Sequence, residues 1–429
     1  MSHDDLTRSG FKHRTRIAAA RERLLDAVTS LDRTESVPLG AADGRVLAES
    51  ITAAVPVPGY DRAAMDGWAV RAEDTFGASD RSPAILRRRD ADDTDDHATP
   101  ESVAPGEAGR VHTGSAMPDG ADAVVMIEHT EPVGGEVEVF DAVAEGENVG
   151  DVGEDVAVDQ HLYDAGHRLR PSDLGLLKSV GVDRPTVYDD PTVGVVPTGD
   201  EIVQSDPGPG EVIETNGLTV SQFVERWGGQ ATYRNIVPDD PNAIRAAVQR
   251  DLTKDIVVTT GGSSVGERDH TVDVIDDLGE VLVHGVALKP GHPVALGVVE
   301  ETPVLALPGY PVACIVNAVQ FLRPAMRAVA GRAPAVPEHP TSEATLTRKI
   351  DSEPGVRTFA RVELEESADD ESEGDTGTAA RPRATPTRAS GSGVLSSVAL
   401  ADGWVVVPED SEGIPADATV AVEHWEWSA

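Results

Sequence analysis

Asp255-Ile-Val-Val-Thr-Thr-Gly-Gly-Ser-Ser-Val-Gly-Glu-Arg-Asp269 is the stretch that decides the fold. Its apolar, β-branched run from Ile256 to Thr260 predicts a strand. The strand empties into glycines and hydroxyls, and a helical spacing follows at Val272, Ile275 and Leu278. In an open α/β sheet, ligands bind outside the carboxyl ends of the strands, where loop amides and helix N-termini face anions. Gly261, Gly262 and Gly266 would let the backbone approach a ligand, and Ser263 and Ser264 add hydroxyl donors. On glycines alone the segment would read as a plain turn. Two further loops change that reading. A strand from Thr192 ends in Thr198-Gly199-Asp200-Glu201, and one from Val304 ends in Pro308-Gly309-Tyr310-Pro311 before a long apolar helix. Three strands with small or acidic residues at their carboxyl ends describe one site.

Working outward, strand and helix patterns alternate from residue 192 to residue 330, which implies a central doubly wound α/β domain. Asn216 is expected to cap the helix carrying Phe223, Val224 and Trp227, and Asp240-Pro241 to start the next one. Upstream, residues 13–30 read as an amphipathic helix, followed by β-rich N-terminal domains and a short helix at Pro171 to Ser179. Downstream, a proline-rich linker (Gly331 to Pro340) leads to alternating patterns at Ala344 to Ile350 and Thr358 to Leu364, which suggest a small C-terminal β-barrel. Asp90 to Asp96 and Glu365 to Arg383 read as acidic inserts.

With 429 residues the chain is too long for one core, so several domains are expected. The net charge of −39, from 75 acidic against 36 basic residues, argues against a nucleic-acid partner and reads as a solvated, halophilic surface. The single cysteine, Cys314, excludes an intrachain disulfide and a cysteine-based metal site, and reads as a small core residue. No run of 18 apolar residues predicts a membrane span, and Met1 to Thr15 lacks an apolar signal core, so a cytoplasmic protein is expected. The histidines are scattered without metal-ligand spacing. His292 stands apart because it neighbours Lys289 in Lys289-Pro290-Gly291-His292-Pro293. Carboxylates recur on loops that otherwise suit anions: Asp66, Glu201, Asp239 and Asp269. Bare carboxylates would repel a phosphate, and a hard divalent cation such as Mg²⁺ resolves the conflict. Asp239, in Asp239-Asp240-Pro241, reads equally well as a turn residue.

These motifs together resemble the molybdopterin molybdenumtransferase family, which includes the E domain of gephyrin. The N-terminal half agrees through Pro58-Gly-Tyr-Asp-Arg-Ala-Ala-Met-Asp-Gly-Trp-Ala-Val70, through Val111-His-Thr-Gly114 and through Ala121-Asp-Ala-Val-Val125. The C-terminal end agrees through Gly391-Ser-Gly-Val-Leu-Ser-Ser397 and Gly403-Trp-Val-Val-Val-Pro408. The resemblance covers nearly the whole chain. It implies a discontinuous N-terminal linker and dimerisation domain (1–50 and 145–191), an inserted β-rich domain (51–144), a molybdopterin-binding domain (192–333) and a C-terminal barrel (334–429). It implies Mg²⁺-dependent insertion of molybdate or tungstate into adenylyl-molybdopterin with release of AMP, in an elongated homodimer.

Carried over residue by residue, the catalytic positions fall on Asp66, Thr113, Glu201, Asp239, Asp269, Lys289 and Ser392, with Glu201 and Asp269 as magnesium ligands. Substrate contacts fall on the three strand-end loops: Thr198, Gly199 and Asp200; Gly261, Gly262, Ser263, Ser264 and Gly266; and Pro308, Gly309 and Pro311. Pro290, Gly291 and His292 complete them. Three positions depart from the family: Gly285 and His292 stand where relatives carry lysine, and Tyr310 where asparagine is common. Two other readings stand beside this one, a molybdopterin adenylyltransferase and a non-catalytic pterin-binding scaffold. The N-terminal motif and the C-terminal barrel favour the metal-inserting enzyme.

The charge reading carries a test of its own. Screening of self-repulsion, with a Debye length of about 3 Å at 1 M salt, should raise the thermal unfolding midpoint steeply as KCl increases. Full stability in dilute buffer would contradict the halophilic reading.

Overall fold

The structure, a computed structural model, describes residues 14–89, 99–261, 270–366, 381–387 and 392–426. The chain divides into two compact units. One holds Ser36–Asp43 and Leu47–Thr186; the rest of the described chain forms the other.

The first unit is built on a six-stranded sheet. Its strands are β1 (Gly67–Val70), β2 (Ala84–Arg89), β3 (Glu107–Val111), β4 (Ala123–Met126), β5 (Thr130–Val133) and β6 (Glu136–Val139). They lie in the order β4-β1-β3-β2-β6-β5. Trp68, Leu86, Ala108, Val125 and Val137 form its core. The guanidinium groups of Arg88 and Arg110 lie 5.6 and 5.8 Å from the centroid of the Trp68 ring. Gly67 admits no side chain, because a Cβ there would lie 2.0 Å from the Val125 carbonyl oxygen.

The Pro171–Ser179 helix of this unit starts where the sequence predicts, with proline in its first turn. Asp173 is 2% exposed and closes the capping box, accepting the Arg170 amide at 2.9 Å. Its carboxylate also accepts from the Arg170 guanidinium, from His167 Nε2 at 2.8 Å and from the Tyr163 hydroxyl at 3.1 Å. Burial opposes ionisation of Asp173, but these donors outweigh it and hold the carboxyl well below the ordinary range.

The second unit contains the doubly wound sheet. Its strands are β7 (Thr192–Pro197), β8 (Gln230–Tyr233), β9 (Ile256–Thr260), β10 (Glu280–His284), β11 (Ala295–Val299) and β12 (Thr302–Leu307). The order is β8-β7-β9-β12-β11-β10. The first four run parallel, and β11 and β10 add antiparallel at one edge. Val195 pairs with Val258 and Val258 with Leu305, all three fully buried. Alternate residues feed two cores. Val195, Val258 and Leu305 pack with the helices Ile17–Asp26, Asn216–Arg226 and Pro311–Asn317. Val257, Val304 and Ala306 pack with Pro241–Asp251 and His270–Leu278. Helices on both faces explain why these strands are continuous apolar runs.

The helix starts differ in one respect from the sequence reading. Asp240 does cap its helix, accepting from the amides of Asn242 and Ala243. Asn216 is not a cap: it is the first helical residue, and Thr215 precedes it without a side-chain capping bond. The Gly217 amide instead donates to the buried Glu214 carboxylate at 2.6 Å. That frees the Asn216 amide nitrogen to donate to the Gly309 carbonyl at 2.7 Å.

The helix Pro311–Val329 is long and apolar enough to cross a membrane, yet 89% of its apolar window is buried within the protein, as befits a core helix. A π-helical turn, Ala318–Leu322, divides it. Cys314 is a buried core residue on it, and burial pushes its thiol pKa up.

The C-terminal strands β13 (Thr341–Leu346), β14 (Arg357–Glu365), β15 (Arg383–Pro386), β16 (Gly403–Val407) and β17 (Thr419–Glu423) close a barrel in the order β14-β15-β13-β17-β16-β14. The short strand Leu288–Lys289 pairs in parallel with the start of β14, Lys289 opposite Thr358. This pairing fixes the barrel against the α/β sheet. Most of the two acidic inserts, residues 90–98 and 367–380, lies outside the described residues.

Replacing Asp173 with alanine strands the donors around it and should cost about 3 kcal/mol near neutral pH, measured by urea unfolding. Because the folded-state pKa is depressed, the contribution of Asp173 is complete above the unfolded value of about 3.9 and is lost as pH falls below it. The gap between wild type and variant should therefore narrow on acidification. A gap as wide at pH 2 as at pH 6 would contradict an ionised carboxylate at the centre of this network.

Candidate functional site

Three strand-end loops meet at the carboxyl edge of the parallel sheet. The Thr198 amide donates to the Thr260 carbonyl at 3.2 Å, the Gly199 amide to the Val237 carbonyl at 3.1 Å, and the Gly261 amide to the Leu307 carbonyl at 3.0 Å. The contact is backbone on backbone. A Cβ at Gly261, which has φ of +117°, would lie 2.2 Å from the Thr198 carbonyl oxygen, and one at Gly309 would touch the Gly261 Cα. Gly261, one of the glycines that suggested ligand approach, is thus first required by the packing of one loop on another.

Acidic groups gather beside these loops. The Asp239 amide donates to Asp200 Oδ1 at 3.0 Å. Asp239 Oδ1 is buried with no hydrogen-bond partner. Burial first, then the charges of Glu201 and Asp200, push the Asp239 carboxyl above its ordinary range, against a smaller opposing effect of His270. Asp200, Glu201 and Asp239 form a set of hard oxygen donors, although among the described residues no three side chains are already arranged as a metal-ligand group. Gly262, Ser263, Ser264, Gly266 and Asp269 lie outside the described residues.

On the other side of Pro308, a cleft of about 580 Å³ opens between the α/β domain and the barrel. Lys289, Pro290, Gly291, His292, Pro308 and Tyr310 line it from the sheet side, and Arg348, Lys349, Arg361, Thr387 and Ser392 from the barrel side. Lys289, Arg348, Lys349 and Arg361 give it four cations against one carboxylate, Asp351, which pairs with Lys349 at 2.6 Å. This is a local reversal of sign in a chain of net charge −39. Arg361 is 8% exposed, and burial lowers its pKa. Burial, aided by Arg14, also lowers the His292 pKa against the opposing charge of Glu353, which favours the neutral imidazole near neutral pH.

One side chain holds the lysine loop in place. Asn317, fully buried at the junction of the α-helical and π-helical segments, donates to the Gly291 carbonyl at 2.9 Å and to the Ala313 carbonyl at 2.8 Å. A Cβ at Gly291, with φ of +112°, would fall 2.3 Å from the Asn317 amide nitrogen. The barrel loop meets the opposite wall: the Val312 amide donates to the Ser392 carbonyl at 3.1 Å, and Gly393 packs against the Tyr310 ring.

Asp66 and Thr113 come together within the first unit. Asp66 Oδ1 accepts from the Thr113 amide at 2.7 Å and from its hydroxyl at 3.0 Å. These bonds, then the nearby His112 and Arg110, hold the exposed Asp66 carboxyl below its ordinary range.

Sequence reasoning missed Arg348, Lys349, Arg361 and Asn317. The last two carried a signal. Arg361 follows Phe359 by two along β14, so an arginine occupies the same side of the strand as a core residue. Asn317 interrupts the otherwise apolar run Val312–Leu322, apart from Gln320.

The chain matches family models described as "MoeA N-terminal region (domain I and II)" over residues 15–181, "Probable molybdopterin binding domain" over 194–328 and "MoeA C-terminal region (domain IV)" over 343–425. It is 31% identical to the molybdopterin molybdenumtransferase of Bacillus subtilis over 92% of each chain. To the protein of that name in Nostoc it is 31% identical over 72% of each. The crystal structure of the molybdopterin biosynthesis moeA protein from Pyrococcus horikoshii superposes with a TM-score of 0.76 at 31% identity, covering 95% of this chain and 99% of that one.

Gly291→Ala forces the loop off Asn317, and Asn317→Ala removes its two donated bonds. Each should lower stability by about 1–3 kcal/mol. If the contact is shared, the double variant should cost less than the sum of the two. Strict additivity in a double-mutant cycle would show that Asn317 does not hold the lysine loop.

Proposed function

We propose, for a chain that belongs to the molybdopterin molybdenumtransferase family, that it inserts molybdate or tungstate into adenylyl-molybdopterin and releases AMP. The cationic cleft between the lysine loop and the barrel is the observation that carries this reading. Both substrates are anions. In an acidic protein, four cations around one cleft give them a place where approach is favourable rather than repulsive.

Each group has a role that follows from its chemistry. Lys289 offers a mobile ammonium to a phosphate, whereas Arg361, buried and planar, offers a fixed fork suited to an oxyanion. Ser392, Thr387 and neutral His292 can donate single hydrogen bonds that orient a tetrahedral oxyanion without adding charge. The strand-end loops, held together by Gly261 packing on the Thr198 carbonyl, would let the backbone come close to the pterin and its adenylate. Arg361 and Lys289 at opposite walls would order the two anions relative to each other.

Glu201 and Asp239, with Asp200 beside Glu201 in sequence, are the residues that would hold Mg²⁺, and the family resemblance adds Asp269. The buried, unpartnered Asp239 Oδ1 and the raised pKa of that carboxyl fit a site that gains from a cation. When bound, the ion would supply Lewis-acid neutralisation of the adenylate phosphate.

The barrel supplies Arg361 and Ser392, half of the cleft's wall. A stand-alone adenylyltransferase domain would lack them, and a pure scaffold would have no use for a buried arginine. The reading includes a homodimer in which the exposed Asp66–Thr113 pair of one copy serves the cleft of the other; family resemblance supports that part.

Arg361→Gln removes a charge-assisted contact of about 1.5–3 kcal/mol, so the apparent Kd for molybdate should rise about tenfold or more. Lys289→Ala should weaken adenylyl-molybdopterin binding more than molybdate binding. Glu201→Gln should lose AMP release at limiting Mg²⁺ and recover in part at high Mg²⁺. Wild-type affinity for both anions in the Arg361 and Lys289 variants, measured by calorimetric titration in high salt, would remove the cleft as the substrate site.

A further inference from the structure

One wall of the cleft between the lysine loop and the barrel carries an aromatic ring with no packing duty. Tyr310 lines the cleft and is 63% exposed, more than Tyr60 or Tyr233. Those two rings are tied by their hydroxyls: Tyr60 donates to the Gly114 carbonyl at 3.4 Å, and Tyr233 donates to Glu214. Among the described residues none bonds the Tyr310 hydroxyl. Phe359 also lines the cleft, but it is buried and packed edge-on against Trp404, with ring centroids 5.1 Å apart. Tyr310 therefore offers the cleft an open aromatic surface that Phe359 does not.

The backbone beneath this ring is held from three sides. The Gly309 carbonyl accepts from the Asn216 side-chain amide at 2.7 Å. The Tyr310 carbonyl accepts from the Cys314 amide at 2.8 Å, as Pro311 opens the long helix. The Val312 amide reaches the Ser392 carbonyl across the cleft wall at 3.1 Å. The ring thus projects from a fixed point. Gly393 backs one side of it: a Cβ there would lie 3.3 Å from Tyr310 Cδ1 and 3.6 Å from Cε1. A glycine at that position brings the barrel loop close to the ring without covering it with a side chain.

An exposed, rigidly mounted ring is suited to one kind of partner. Lys289 and Arg361 can hold phosphate and oxyanion groups, but they do not select the uncharged part of a ligand. An aromatic face does so, because a planar ring laid on it gains dispersion contacts and leaves water. The cleft, of about 580 Å³, has the size of a small-molecule site.

We propose that Tyr310 is a substrate-binding residue whose ring stacks on a fused nitrogen heterocycle of the substrate, the pterin or the adenine. It would set the preference of the cleft for a ring-bearing anion over a bare one. This rests on the reading of the cleft as the substrate site.

Calorimetric titration of the full chain in high salt tests it, with AMP, pterin-6-carboxylate and ribose 5-phosphate as probes. Ribose 5-phosphate keeps the sugar and phosphate of AMP without its base. Tyr310→Ala should weaken AMP about tenfold if the adenine lies on the ring, or pterin-6-carboxylate by as much if the pterin does. Tyr310→Phe should bind that probe as the wild type does, and ribose 5-phosphate should bind all three proteins equally. If Tyr310→Ala does not fold by circular dichroism, Tyr310→Leu decides in its place. Unchanged affinity for both ring-bearing probes in the folded variant, an equal loss of ribose 5-phosphate, or a Tyr310→Phe protein as weak as Tyr310→Ala would overturn the proposal and leave the cleft as the substrate site. A wild type that binds none of the three probes would remove the cleft as the substrate site, and the proposal with it.

Discussion

The structure depends on backbone meeting backbone at the carboxyl edge of one parallel sheet. Three strands end side by side because their apolar residues pair in register, Val195 with Val258 and Val258 with Leu305. Their loops can then stay close only if side chains are absent at the contacts. Gly261 against the Thr198 carbonyl meets that condition. The cost of this glycine in conformational freedom is offset by burial of both faces of the sheet. Everything placed at that edge inherits its rigidity: the acidic group around Asp239, the Asn216 bond to Gly309, and the start of the long helix.

Charge is the second organising constraint. A chain of net charge −39 repels anions over most of its surface. Four cations, Lys289, Arg348, Lys349 and Arg361, nonetheless line the cleft where the barrel closes on the sheet. The pairing of Leu288–Lys289 with β14 brings this about, since it sets Lys289 beside the strand that carries Arg361. A strand from the α/β domain and a strand from the barrel thus share one hydrogen-bonded edge. The cleft follows from that shared edge rather than from either domain alone.

Much of this was legible in the sequence. Ile256–Thr260 is a strand with the bounds that its β-branched run predicts, and Asp240-Pro241 starts a helix, because both signals are local. The adjacency of the loop motifs was legible because they share a position at strand ends. Arg361 and Asn317 were not read, since their importance arises from contacts 26 or more residues away in sequence, across elements whose pairing periodicity does not reveal. The Asn216 assignment failed for a related reason. Its local context is that of a cap, but Glu214 already satisfies the Gly217 amide, and tertiary contact with Gly309 claims the asparagine.

The central claim is that the sheet edge and the barrel together bind the oxyanion substrate. Anomalous scattering from crystals of the protein soaked in tungstate tests it most directly, because the metal is located without reference to activity. The account predicts an occupied tungsten position in the cleft between Lys289, Arg361 and Ser392, lost in the Arg361→Gln protein. Tungsten bound only elsewhere, or retained in the cleft at full occupancy without the arginine, would contradict it.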